Sequence, residues 1–157
     1  MSEQTDSMLA RVAEETFEAL TFMYPVGEDE SPADANVSAE VTYDGPSSGR
    51  LVLTVSQNML PAVATNMLGL DFDEVPTSDQ QTDALREVLN VICGNLLPVL
   101  YSQRDVFNVD APQVLSPAQV PHVDGLQLAG VAKLYLDAGQ AKVQLYVRPA
   151  DGQAKVA

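Results

Sequence analysis

Apolar residues recur at three- and four-residue steps from Leu9 through Val12, Ala13, Thr16, Phe17, Leu20, Met23 and Tyr24. That spacing lines one face of a helix. Asp6 or Ser7 is placed to cap it, Pro25 to close it, and Glu14, Glu15 and Glu18 to face outward. The polar stretch from Gly27 to Asn36 predicts a loop. Val37, Ala39, Val41 and Tyr43 then alternate with Ser38, Glu40 and Thr42, which is the period of a half-buried strand. Turn residues crowd Asp44–Gly49, and Leu51, Leu53 and Val55 resume the alternation, so a hairpin is expected. Ser56 is the expected N-cap of a short helix running to Leu68, with Pro61 near its start and Gly69 as its stop.

After an acidic linker, Leu70 to Thr77, the pattern returns to helical spacing. Ser78-Asp79-Gln80-Gln81 fits a capping box, and the helix it opens runs to about Tyr101. Leu85, Val88, Leu89, Ile92, Leu96, Val99 and Leu100 fall within a sector of about 120°, the expected core face. Phe107, Val109 and Ala111 alternate as a strand up to Pro112. Ser116 to Gly125, with its two prolines, predicts a loop. The last hairpin is the clearest: Leu126, Leu128, Ala132, Leu134 and Leu136, a turn at Asp137-Ala138-Gly139, then Ala141, Val143, Leu145 and Val147. Its opposite side carries Lys133, Tyr135, Lys142, Gln144, Tyr146 and Arg148, a candidate edge or partner surface.

The resulting order is α-β-β-α-α-β-β-β, an α+β chain with helices packed on a mainly antiparallel sheet. Both halves run helix then hairpin, as an old duplication would leave them, although no strict repeat is visible. At 157 residues one domain is expected over 1–157, with an ordered core over 8–148 and a frayed tail over 149–157.

Charge narrows the function. Lys and Arg number 8 against 22 Asp and Glu, a formal charge of -14. Nucleic-acid binding needs clustered cations to displace counterions, and anionic lipid repels such a surface, so both partners are excluded. With 46% apolar residues a core can form, which sets disorder aside. The opening MSEQTDSMLARVAEE lacks the basic start and apolar run of a signal peptide, and no apolar stretch approaches a membrane span. The cytoplasm is the expected location.

Candidate chemistry concentrates on the long helix. Opposite its core face, Asp83, Glu87, Asn90 and Gly94 fall within about 60° of one another. A carboxylate and a carboxamide one turn apart therefore point outward together. A merely solvated face would have this spacing too. Val91 and Leu97 flank the stripe and lend it apolar character, as docking requires. Gly94 costs about 1 kcal/mol against Ala inside a helix. It either admits a partner's backbone or relieves the ring of Pro98, and spacing does not separate these.

Other candidates are weaker. Cys93, the single cysteine, lies at the margin of the core face with no activating neighbour in sequence, as a small buried hydrophobe would. His122 sits in a loop. Glu28-Asp29-Glu30 and Asp71-Phe72-Asp73-Glu74 lack the glycine and terminal glutamate of a calcium loop. Gly45 and Gly49 belong to a turn with no phosphate-loop ending.

Asp83-x-x-x-Glu87-x-x-Asn90, continuing Val91-Ile92-Cys93-Gly94-Asn95, resembles the signature of the CheC/CheX/FliY family of chemotaxis phosphatases, and most closely its single-site CheX members. Pro112, in Val109-Asp110-Ala111-Pro112-Gln113-Val114, stands near where that family places a proline. Gly49-Arg50-Leu51-Val52-Leu53-Thr54-Val55-Ser56 and Met67-Leu68-Gly69 add to the likeness, which extends from the first helix to Val147. The first helix offers no Glu-x-x-Asn, so one active site per chain is expected.

The resemblance implies a CheC-like fold and a phosphatase whose substrate is the aspartyl phosphate of a CheY-type response regulator. Asn90 would orient the attacking water and Glu87 would pair with the regulator's lysine. Asp83, Val91 and Gly94 would serve docking. Mg²⁺ would come from the regulator, with no intrinsic metal or cofactor, and the chain would form a homodimer. A non-catalytic adaptor or a dimeric binding module on the same fold is the alternative.

Overall fold

The computed structural model of the protein describes residues 3–27, 36–71, 73–116 and 124–149. Among the described residues three helices and a six-stranded antiparallel sheet make an α+β fold, as the pattern predicts, with α1 and α3 on the sheet and α2 packed on both helices. The helices are α1 (Glu3–Thr21), α2 (Leu60–Leu68) and α3 (Ser78–Leu100). The strands are β1 (Asn36–Asp44), β2 (Gly49–Ser56), β3 (Asn108–Val109), β4 (Gln113–Leu115), β5 (Gln127–Leu136) and β6 (Gly139–Val147). In the sheet they follow the order β3-β1-β2-β6-β5, with β4 also paired to β1. The two long hairpins therefore meet along β2 and β6, from Gly49↔Val147 to Val55↔Ala141.

The core fills the space between helices and sheet. Leu9, Val12, Ala13 and Phe17 of α1 and Leu85, Val88, Leu89, Ile92 and Leu96 of α3 meet the inward residues of β1, β2, β5 and β6. Helix α1 packs on β5 and β6, whereas α3 packs on β1 and β2. Each half of the chain thus covers the hairpin of the other.

Several local expectations shift, each for a physical reason. Helix α1 ends at Thr21 rather than at Pro25, because Phe22 turns into the left-handed region at φ 57°. Three carbonyls at this end find donors. Thr21 Oγ1 donates to Phe17 O at 2.6 Å, the Phe22 amide to Glu18 O at 3.2 Å, and Asn66 Nδ2 to Thr21 O at 2.6 Å. Met23 is still buried, while Tyr24 is exposed and Pro25 bridges Leu136 at the edge of β5. Asp6 lies inside the helix and does not cap it; its Oδ1 accepts the Val131 amide of β5 at 2.9 Å.

Ser56 does not cap α2 with its side chain. Its hydroxyl accepts the Gln140 amide at 3.0 Å across the sheet, and a 3-10 turn, Gln57–Met59, leads into the helix. Gly69 does stop α2, at φ 65°, a conformation that glycine adopts without steric cost. The capping box of α3 sits one residue earlier than expected, on Thr77 and Gln80. Gln80 N–H donates to Thr77 Oγ1 at 3.1 Å and Thr77 N–H to Gln80 Oε1 at 2.8 Å.

The strand expected up to Pro112 is two short strands instead. β3 pairs with β1 at Tyr43 and Asp44, and β4 pairs with it at Ser38–Glu40. Between them lies Pro112, which has no amide to give to a ladder. Glu40 also departs from simple alternation: it is only 4% exposed and pairs with Arg50 at 2.9 Å on the sheet's outer face.

His122, the acidic run Glu28–Glu30 and the residues 150–157 of the expected tail lie outside the described residues.

Candidate functional site

The capping box fixes where α3 begins, and its apolar stripe fixes which way it turns. Once Leu85, Val88, Leu89 and Ile92 are buried against the sheet, Asp83, Arg86, Glu87 and Asn90 must face outward. All four are exposed. They form one wall of an open concavity of about 610 Å³, and Val109, Asp110, Ala111 and Pro112 form the other.

That second wall is held in place by β1. The Asp110 amide donates to Thr42 O at 3.0 Å, and Thr42 Oγ1 donates to Asp110 Oδ2 at 2.5 Å. The break between β3 and β4 therefore leaves Asp110–Pro112 anchored at the sheet edge, facing the helix. Further along, the rings of Tyr43, Tyr101 and Phe107 pack edge-on or tilted with centroids 5.2–5.9 Å apart. Tyr43 and Tyr101 share a hydroxyl hydrogen bond at 2.6 Å. This cluster ties the C-terminal end of α3 to β1 and to the segment leading into the wall. At Gly49 a Cβ would strike the Tyr43 ring and the Tyr146 carbonyl, so the residue type there is set by the ring's position.

Charge in the concavity comes from three carboxylates, Asp83, Glu87 and Asp110, and one cation, Arg86. Arg86 Nη2 pairs with Asp83 Oδ1 one turn away. Glu87 has no such partner on its own helix, which leaves it available to a cation arriving from outside. Asn90 completes the set with an uncharged group that both donates and accepts.

The residues singled out from the sequence separate into two groups. Asp83, Glu87 and Asn90 come together with Pro112 around the concavity. Val91 is half-buried and Gly94 exposed, both beside the concavity and not lining it. A Cβ on Gly94 would meet nothing within 4 Å, the ring of Pro98 included, so the glycine leaves open surface next to Asn90. Leu97 corrects an expectation: at 5% exposure it belongs to the core, because α1 and α2 pack on α3 beside the sheet and widen its buried face. Arg86 was not anticipated. It lies on the same stripe at three residues from Asp83, and that spacing was the available signal.

Cys93 is fully buried, and desolvation pushes its thiol up to about 12. It is a neutral thiol at physiological pH and no nucleophile. Burial raises Tyr43 well above the usual phenol range, helped by Tyr101, and raises Tyr101 as well. Among the described residues no group of three His, Cys, Asp or Glu is placed to hold a metal ion. Nor is any described helix long and apolar enough to cross a membrane.

Comparison with known proteins was informative at the level of family and fold. The family model for the chemotaxis phosphatase CheX matches residues 37–131. No curated protein matches the sequence. Among solved structures, CheX from Desulfovibrio desulfuricans superposes with a TM-score of 0.72 at 20% identity, over 92% of this chain and 99% of that one. A putative chemotaxis protein from Desulfovibrio vulgaris Hildenborough gives 0.70 at 19% identity, over 92% and 97%. A CheX–CheY–BeF3–Mg complex from Borrelia burgdorferi gives 0.63 at 16% identity, over 90% and 96%.

Proposed function

Because the chain belongs to the CheX family of chemotaxis phosphatases, we propose that it hydrolyses the aspartyl phosphate of a CheY-type response regulator at the Asp83–Asn90 face of α3. One juxtaposition supports this above all. Glu87 and Asn90 stand exposed one turn apart and open onto the wall that contains Pro112. The existence of a CheX–CheY complex among the structural neighbours supports the partner class.

An acyl phosphate is a reactive mixed anhydride, so the protein need supply no covalent intermediate. Water attacks phosphorus, the bond from phosphorus to the aspartate oxygen breaks, and the carboxylate leaves with both bonding electrons. What remains is positioning, the same service a glutamine gives the attacking water in a GTPase. Asn90 accepts a hydrogen bond from that water through its carbonyl and donates toward the phosphoryl oxygens through its amide. It holds no proton that titrates. Glu87 accepts a charge-assisted bond from the regulator's lysine and fixes how deep Asn90 enters. Asp83, Val91 and Gly94 form the docking surface around this pair. The regulator brings Mg²⁺ in its own acidic pocket, in keeping with the Mg in the neighbouring complex.

The alternative is a non-catalytic adaptor on the same fold. Retention of both Glu87 and Asn90 on one exposed face favours catalysis. A homodimer acting in the cytoplasm belongs to the same proposal, and light scattering of the purified chain measures its mass.

Phosphate release from a Mg²⁺-loaded, phosphorylated CheY-type regulator of the same cell tests the proposal, with the wild type and Asn90→Ala compared. Acceleration by the wild type and its loss in the variant is the expected result. Measurable binding without acceleration by either protein would overturn it in favour of the adaptor.

A further inference from the structure

The face of the sheet turned away from the helices is not uniform. Its side chains stand in cross-strand rows, and one row reads Ser38, Thr54, Lys142 and Lys133 across β1, β2, β6 and β5. Lys142 and Lys133 are direct partners in the β5–β6 register. Like charges directly opposite on one face repel and destabilise a sheet. Among the described residues neither lysine pairs with a carboxylate, although the chain has 22 acidic residues and only 8 cations.

The two lysines border a cavity of about 200 Å³ whose other lining residues are Asn36, Thr54, Leu134, Tyr135, Gln140 and Ala141. Among the described residues no acidic side chain lines it. Lys133, Lys142, Asn36, Thr54 and Tyr135 can each donate a hydrogen bond, through an ammonium, an amide or a hydroxyl, while Gln140 already has a partner. Thr54 is already oriented by Ser38, whose hydroxyl lies 2.8 Å from its own. Two paired ammonium groups beside further hydrogen-bond donors suit a compact dianion, and lysine meets phosphate as a point charge. The small volume suits a single phosphoryl group with a short organic substituent, since drug-sized ligands occupy larger clefts.

We propose that this outer-face cavity is a binding site for a phosphate group, held between Lys133 and Lys142 and carried by a small phosphate monoester. Bound there, the dianion relieves the repulsion between the two strands. The site lies on the opposite side of the sheet from α3, so its occupant does not obstruct Glu87 or Asn90, and it stands independently of the phosphatase proposal.

Titration of the ¹⁵N-labelled chain with glycerol 3-phosphate and with inorganic phosphate, at ionic strength matched with sodium chloride, tests it. Saturable amide shifts centred on Asn36, Thr54, Lys133 and Lys142 are expected. Lys142→Gln and Lys133→Gln should each weaken binding about tenfold or more, while Lys142→Arg retains it. The same spectra report whether each variant is folded. Tighter binding of glycerol 3-phosphate assigns the monoester; equal affinity keeps the site and assigns free phosphate. Shifts that rise without saturating, or that persist unchanged in both glutamine variants, would overturn the site.

Discussion

Thr42 holds Asp110 twice, accepting its amide at 3.0 Å and donating a hydroxyl to its carboxylate at 2.5 Å. Together with the pairing of β3 and β4 on β1, this residue fixes the wall opposite Glu87 and Asn90 to the sheet. Thr42→Val keeps the backbone bond and removes the side-chain bond. It should leave stability within about 1 kcal/mol of wild type while lowering kcat/KM for regulator dephosphorylation several-fold. Paired thermal melts and phosphate-release assays check both halves of the expectation.

Glu87→Gln keeps the shape of the side chain and discards its charge. The expected loss falls on both docking and turnover, because in the proposed mechanism the lysine contact sets the depth of Asn90, whereas Asn90→Ala should reduce turnover by about 100-fold with docking largely intact. Both residues are exposed, so melting temperatures should hardly move. Binding to the regulator, measured beside single-turnover hydrolysis, separates the two variants.

Gly94→Ala should act in opposite directions on stability and activity. The added methyl meets nothing within 4 Å and removes a glycine from a helix interior, so the variant should be more stable by about 1 kcal/mol. If a partner's backbone approaches there, regulator binding weakens. Chemical denaturation and a binding titration together decide whether the glycine serves docking.

Arg86 occupies Asp83 and leaves Glu87 as the carboxylate open to an incoming cation. Arg86→Gln frees Asp83 to compete for the regulator's lysine and should raise KM more than it lowers kcat. Adding Asp83→Asn in the same chain should restore much of the loss. Steady-state kinetics of the two single variants and the double variant close the cycle.

Alkaline pH should loosen the core near the site. Burial raises the Cys93 thiol from 9.0 to about 12, and raises Tyr43 and Tyr101 as well. A group whose folded value is raised binds its proton more tightly in the folded state. Its contribution to stability is therefore complete below the unfolded value and falls as pH rises through the folded one. Stability should hold up to about pH 9 and decline between there and pH 12. Cys93 should resist thiol reagents in the native protein at pH 8 and react once unfolded, as a timed labelling assay shows.

Much of the architecture was legible because it is written in short periods. The final hairpin and the core face of α3 follow from alternation and from three-four spacing, and Glu87 and Asn90 share a face for the same reason. What escaped was set by contacts between distant residues. The split of β3 from β4 depends on Pro112 and on the hold of Thr42 on Asp110, 68 residues away in sequence. Glu40 was placed outward by alternation, and it is outward, yet Arg50 and its neighbours bury it there. Leu97 was assigned to the exposed stripe because a helical wheel of α3 does not show that α1 and α2 also pack on it. Ser56 and Asp6 were assigned as caps from their own neighbourhoods, while their actual partners, Gln140 and Val131, lie in the last hairpin.

The crossing of the two halves, with α1 on β5 and β6 and α3 on β1 and β2, has a consequence for how the chain is born. On the ribosome the first helix emerges more than a hundred residues before the strands that will cover Leu9, Val12 and Phe17. Neither hairpin can be shielded by the helix that precedes it. Until β5 and β6 emerge, α1 has only α2 and α3 to pack on, so the layer of core between α1 and the last hairpin closes last.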